Sequence, residues 1–151
     1  HVPLIFSCPG LFLEGMRVPA LVELMDVAPT VLELTGLPIP HYMQAKSLAG
    51  ILTGKSNPNH HKDAVYCEYY YSVLMSNKVY ATMYFDGRYK MIVHHDDPIS
   101  EFYDLKTDPC EFDNLWGKPE HQTLIFEYYQ KCFNHAIMIN EDTVLGKKAV
   151  Y

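Results

Sequence analysis

The chain has 151 residues, 48% of them hydrophobic, and sets 12 Lys and Arg against 18 Asp and Glu for a net charge of -6. That length and apolar content suit one ordinary globular domain and exclude a disordered chain. The charge leaves no basic footprint for nucleic acid, and no run approaches the ~18 apolar residues that cross a bilayer, so neither a nucleic-acid partner nor a membrane span is expected.

The chain opens on "HVPLIFSCPG", with no initiator Met and no charged leader, and reads as begun in mid-protein. Val2 to Cys8 is a short apolar run stopped by Pro9-Gly10, the pattern of a buried strand in a sheet covered on both faces. Asp26 then stands as the N-cap of a helix reaching Thr35, with Pro29 in its first turn and Gly36 as its stop before Pro38. Val27, Val31 and Leu34 give this helix an apolar stripe.

From Pro38 to Lys62 the composition turns to Pro, Gly, Asn, Ser and His, with a brief helical pattern over Ser47 to Leu52. The expected organisation is a strand–helix piece over 1–37, a connecting loop over 38–62 and a subdomain over 63–151. In the last, "AVYCEYYY", "KVYATMYF" and "RYKMIVHH" read as an antiparallel meander with a turn at Asp86-Gly87. A two-residue loop there pairs Met83 with Lys90 and Tyr84 with Tyr89. Lys90, Ile92 and His94 then share the face of Met83, while Tyr89, Met91 and Val93 share that of Tyr84. Either the loop is longer or both faces are partly covered, and the tyrosines, apolar bodies with wet tips, favour partial cover.

Glu101 to Trp116, "EFYDLKTDPCEFDNLW", reads as a connector to the final helix despite its acids. Asp108-Pro109 starts a turn, Asp104 and Asn114 can hold backbone N–H groups, and Phe102, Leu105 and Leu115 anchor it to the core. Pro119-Glu120 opens a helix whose Ile125, Tyr129, Cys132, Phe133, Ala136 and Ile137 follow helical spacing and close one face of the sheet. The tail from Asn140 shows no period and reads as irregular.

Little in these residues marks chemistry. Cys8, Cys67, Cys110 and Cys132 form no C-x-x-C pair and read as free buried thiols. His60-His61, after Asn-Pro-Asn, read as solvated loop residues, whereas His94-His95 end a strand and stand where a pocket rim would be. Neighbours on a strand point to opposite faces, so neither pair chelates one metal. Gly54-Lys55-Ser56 imitates a Walker loop without its first Gly, and Ser47, Ser72 and Ser76 lack the context of a nucleophile.

Taken in order, "VPLIFSCPGLF", "MDVAPTVLELTGLPIP", "QAKSLAGIL", "GRYKMIV" and "EFYDLKTDPCEFDNL" resemble the C-terminal part of the sulfatase family, in the alkaline-phosphatase-like superfamily. Val2, Pro3, Pro9 and Gly10 match its strand and Pro-Gly turn, and Asp26, Pro29, Thr30 and Leu34 its D-x-x-P-T-x-L-x-L helix. Gln44, Ser47 and Leu48 match a Q-G-x-S-L loop in which Ala45 replaces a Gly that would tolerate positive φ. Tyr89 and Lys90 match an R-Y-K strand. Glu101, Tyr103, Asp104, Leu105, Asp108, Pro109, Glu111, Asn114 and Leu115 match E-L-Y-D-L-x-x-D-P-x-E-x-x-N-L.

The resemblance implies an α/β architecture: a strand–helix remnant of the large-domain sheet, then a small antiparallel sheet packed on a C-terminal helix. It implies a parent sulfuric ester hydrolase with a formylglycine made from a C-x-P-S-R motif and a bound Ca²⁺ or Mg²⁺. Neither has a counterpart here, since Cys8 sits in S-C-P-G and Asp113-Asn114 falls inside the connector, so no catalytic or metal-binding residue is expected in this chain. Ester hydrolysis needs an activated nucleophile, a cation and an acid, and a piece lacking all three is inactive alone. Its implied partner is the N-terminal catalytic domain, and Tyr70, Tyr71, His94 and His95, near strand ends, are the candidates for the substrate-pocket rim. Two alternatives stand beside this: a related phosphodiesterase or phosphonate hydrolase, and a non-catalytic interaction module. Exposed apolar edges of the strand–helix piece also predict a homodimer or segment exchange.

Overall fold

Four stretches pair into one antiparallel sheet: β1 (Val65–Tyr70), β2 (Tyr80–Phe85), β3 (Tyr89–His95) and β4 (Glu101–Asp104), in the same order in space as in sequence. The computed structural model describes residues 2–70 and 80–145, with side chains as far as Met138; Tyr71, Ser72 and Ser76 lie outside them. The three expected strands are present. β4 is an addition, because the first four residues of the acidic connector pair with β3, Met91 opposite Phe102 and Ile92 opposite Glu101.

The β2–β3 register differs from the expected one. Phe85 faces Lys90, Tyr84 faces Met91 and Met83 faces Ile92, two residues beyond a two-residue loop. The turn is longer because the Asp86 carboxylate accepts the N–H groups of Arg88 (3.0 Å) and Tyr89 (2.9 Å), with Gly87 at φ 95°. A shift of two preserves side-chain direction, so the face assignment holds. Met91 and Val93 are buried on one face, while Ala81, Met83, Phe85 and Ile92 on the other are half-buried.

A 3-10 turn at Pro119–His121 leads into α3 (Gln122–Leu145), which extends well past Asn140 into the tail expected to be irregular. Ile125, Tyr128 and Cys132, spaced three and four apart, are its buried residues among the described side chains, and they pack with Met91, Val93, Phe102 and Leu115. Tyr128 takes the place expected of Tyr129, which is exposed, as are Phe133 and Ile137. The deciding contacts are aromatic: Phe102 lies parallel to Tyr89 at 5.5 Å and meets Tyr128 edge-on at 5.2 Å. The Tyr128 hydroxyl also donates to Asp86, tying the helix to the hairpin tip.

The chain divides into two compact units, one over Ala64–Met138 and one containing His1–Asp63. In the latter, residues 2–8 form no ladder, contrary to the expected strand; Val2 and Ile5 are exposed, and the Pro9-Gly10 turn is present with Gly10 at φ 80°. A strand exists only through a partner, and among the described residues every strand belongs to the one sheet. α1 (Val27–Leu34) ends in a Schellman motif, Gly36 N–H to Glu33 C=O and Leu37 N–H to Leu32 C=O, with Gly36 at φ 74°.

α1 buries Pro29 and Thr30 rather than the expected stripe, and Val31 is exposed. The reason is polar: Thr30 Oγ1 donates to the Asp26 C=O and accepts the Leu48 N–H at 2.8 Å, while Asp26 Oδ1 accepts the Lys46 N–H at 3.0 Å. Asp26 caps in its own way, accepting the Glu23 N–H at 2.9 Å. These bonds fasten the 44–48 loop beside α1 and lead into α2 (Ala49–Leu52). Ala45 is buried and has no positive φ, so this loop does not require glycine.

Phe102, with no exposed surface, is the test of the sheet–helix core. Phe102→Ala is expected to lower stability by about 3–5 kcal/mol, followed by the fluorescence of Trp116, the single tryptophan, which packs against this core. A loss below about 1 kcal/mol would show that Phe102 does not organise the packing.

Candidate functional site

The structure separates the candidates for a substrate rim. Tyr70, Tyr80 and His95 form one row across β1, β2 and β3, on the face that also carries α3. Tyr70 is exposed and meets Tyr80 edge-on at 6.0 Å, and a hydrogen bond to Glu68 raises its pKa. His95 Nε2 is 2.8 Å from Thr82 Oγ1, and both line a cleft of about 90 Å³ with Tyr66, Val93, Cys132 and Phe133. Burial pushes the Cys132 thiol up to about 11, which makes it an inert wall and not a nucleophile.

His94 points the other way, as neighbours on a strand must. Its Nε2 lies 2.7 Å from Glu101 Oε1, and the Tyr103 hydroxyl donates to Glu101 Oε2 at 2.8 Å. Hydrogen bonding to His94, more than offsetting desolvation, holds the Glu101 carboxyl below its usual range; desolvation and Glu101 push Tyr103 up to about 12. An ionised Glu101 only accepts, so His94 Nε2 carries the proton. On the same face Lys90 pairs with Glu111 at 2.6 Å. His94 and His95 thus serve two different surfaces, and Tyr71 lies outside the described residues.

Beyond Glu101 the acidic stretch makes structural contacts. Asn114 Oδ1 accepts the N–H groups of Phe102 (3.1 Å) and Trp116 (2.9 Å), and its Nδ2 donates to the Ser100 C=O. Asp104 accepts two bonds from Arg88, which hold its carboxyl low, and Asp108 accepts the Asp113 N–H. Asp113 pairs with Lys118. Among the described residues no three His, Cys, Asp or Glu groups are placed to hold a metal, and Cys8, Cys67 and Cys110 are exposed free thiols, not the buried ones expected. Cys8 is exposed and Asn114 is committed to backbone, so among the described residues neither fits the formylglycine or the cation site that the resemblance implies for the parent.

One cluster escaped the sequence reading. His60 is exposed as expected, but the His61 side chain is only 8% exposed, with Nε2 3.5 Å from Asp26 Oδ2 and that atom without a hydrogen-bond partner. Lys62 pairs with Asp26 at 2.7 Å and with Glu23. No sequence signal separates His61 from its exposed neighbour; only the return of the chain beside the fully buried Asp26 does.

The chain matches, over residues 1–136, the family described as N-sulphoglucosamine sulphohydrolase, C-terminal. It belongs to that family. An N-acetylglucosamine-6-O-sulfatase of Bacteroides thetaiotaomicron is 32% identical over 124 residues, covering 80% of this chain and 22% of the relative. The structure of BT4656 in complex with its substrate D-glucosamine-2-N,6-O-disulfate superimposes with a TM-score of 0.66 at 26% identity, covering 77% of this chain and 24% of that one. A phosphonate monoester hydrolase from Silicibacter pomeroyi shares the fold with a TM-score of 0.75 at 22% identity over 87% of this chain and 28% of its own. The family match thus spans the sheet, the connector and α3 as far as residue 136, and the chain spans between 21% and 30% of the length of the curated relatives it matches.

The His61 cluster sets a pH dependence. Burial lowers the His61 pKa below 6.5, more than Asp26 raises it. The unfolded chain therefore takes up this proton first as pH falls, and stability present above pH 6.5 is lost on descent through the folded pKa. Protection of the Lys46 and Leu48 amides from hydrogen exchange should fall as the pH is lowered below 6.5, and His61→Gln should flatten the profile. An equal slope in His61→Gln would remove His61 as its cause.

Proposed function

We propose that this chain is the C-terminal part of a sulfuric ester hydrolase, completing its fold and lining the rim of the substrate pocket. The single observation that carries the reading is the family match over residues 1–136. Hydrolysis requires a nucleophile, a cation and a proton donor for the leaving oxygen. In this reading the formylglycine and the Ca²⁺ or Mg²⁺ belong to the N-terminal catalytic domain, this chain's partner. The 32% identity to an N-acetylglucosamine-6-O-sulfatase favours a sulfated aminosugar as the substrate class. His94, fixed by Glu101, and His95, fixed by Thr82, are suited to hydrogen-bond sugar oxygens, while Tyr70 offers an aromatic face; Tyr71, outside the described residues, is proposed from its place in the sequence alone.

A phosphonate monoester hydrolase is the second reading, favoured by the TM-score of 0.75 and the fuller coverage of that likeness. The two differ in the ester cleaved. The chain alone, given a generic aryl sulfate and Ca²⁺, is expected to show no turnover above buffer. The whole protein should hydrolyse the sulfate, lose that activity when the Cys or Ser of its C-x-P-S-R motif is replaced, and leave a phenyl phosphonate almost untouched. Faster phosphonate than sulfate cleavage would reverse the order of the readings, and turnover by the chain alone would sink both.

A further inference from the structure

The face of the sheet opposite α3 sets one strand-end candidate, His94, in a row with two residues that are not candidates. Register places Tyr69 of β1, Ala81 of β2 and His94 of β3 in one row, side chains on the same side. Tyr69 is 48% exposed, the His94 side chain is 29% exposed, and the residue between them is the small Ala81. Two strand spacings separate the outer strands, about 9–10 Å, so an aromatic wall and an imidazole wall flank a floor that is only a methyl group.

We propose that this trough binds one sugar ring, with the C–H face of the ring on Tyr69, its edge over Ala81 and a hydroxyl on His94, and that Glu101 is the positioning residue for His94. The chemistry is specific to a sugar. A pyranose offers an apolar face and an edge of hydroxyls, which matches one aromatic and one polar wall. Glu101 fixes the proton of His94 on Nε2 and leaves Nδ1 for the ligand, while Tyr103 holds the second Glu101 oxygen. An anion placed on His94 would face the ionised Glu101 at short range, so the hydroxyl edge, and not a sulfate group, belongs here. The three wall and floor residues and Glu101 all lie in the unit over Ala64–Met138, so the trough is complete within it.

The choice of an aminosugar as ligand rests on the function proposed above, and the test is designed to separate the two. N-acetylglucosamine and glucosamine 6-sulfate are titrated into the chain while the ring signals of Tyr69 and His94 are followed by NMR, with inorganic sulfate as a third probe. Both sugars should give saturable shifts and sulfate none. Tyr69→Ala should weaken binding roughly five- to tenfold, the range expected of an aromatic contact worth about 1 kcal/mol. Ala81→Leu should abolish it by filling the floor, and Phe112→Ala, on an exposed connector side chain, should leave it unchanged. Glu101→Gln should weaken it and remove the single-tautomer signature of the His94 ring nitrogens. Shifts with sulfate equal to those with sugar, no saturable shift with either sugar, or unchanged binding in both Tyr69→Ala and Ala81→Leu would overturn the trough. A whole protein that cleaves no sulfate ester would sink the proposed function and leave a sugar titration standing; an active enzyme whose chain gives no titration would sink the trough alone.

Discussion

The sheet and its helix depend on one side-chain amide. Asn114 reaches back to β4, accepts the N–H of Phe102 and donates to the C=O of Ser100, while also accepting the N–H of Trp116. Without it, the outer edge of β4 would expose backbone groups, and the chain leaving the sheet would have no fixed direction. With it, and with the Leu115 N–H on the Phe102 C=O, the connector becomes a closing strap on the edge strand. Phe102 is then held between Met91, Tyr89 and Tyr128, and the start of α3 is set by the same strap. The Asp and Asn residues of this stretch follow from that job, since Asp104, Asp108 and Asn114 each accept backbone N–H groups that a tight path leaves unpaired.

The unit containing residues 1–63 is organised differently, around charge. Asp26 has no exposed surface, yet its two oxygens accept the N–H groups of Glu23 and Lys46 and pair with Lys62. Thr30 adds the Leu48 N–H. A buried carboxylate is tolerated only when it is so fully bonded, and removal of one partner leaves an uncompensated charge. The D-x-x-P-T pattern is therefore a loop anchor as much as a helix start, while its exposed apolar residues, Leu24, Met25 and Val31, carry little of the packing.

Local chemistry was legible in the sequence wherever one residue type fixed one backbone state. Gly36 stopped α1, Pro119 opened the last helix, and Asp108-Pro109 turned the connector. Long-range choices were not. Tyr128 and Tyr129 are neighbours of nearly equal apolar character, and α3 has large apolar residues on its exposed side too, so spacing alone could not say which tyrosine faces Phe102. β4 is four residues with two acids, too short and too polar to show a period. His61 looks like a loop residue until Asp26 is placed beside it. Of the site candidates, the pairing of His94 with Glu101 was invisible because it joins two strands, and no sequence feature shows that Tyr69 stands opposite the small Ala81.

The hairpin between β2 and β3 raises a question of fidelity. Its observed pairing and the tighter alternative of a two-residue loop bury the same side chains on the same faces, so hydrophobic patterning cannot tell them apart. The choice falls to Asp86, whose carboxylate gathers the Arg88 and Tyr89 N–H groups and the Tyr128 hydroxyl, 42 residues away in sequence. Burial alone would raise its pKa; these donors outweigh it and keep the group ionised. The energy gap between the native sheet and its nearest misfolded competitor is therefore set by one polar cluster at the tip. Docking of α3 proofreads the strands, because only the correct turn presents Asp86 to Tyr128.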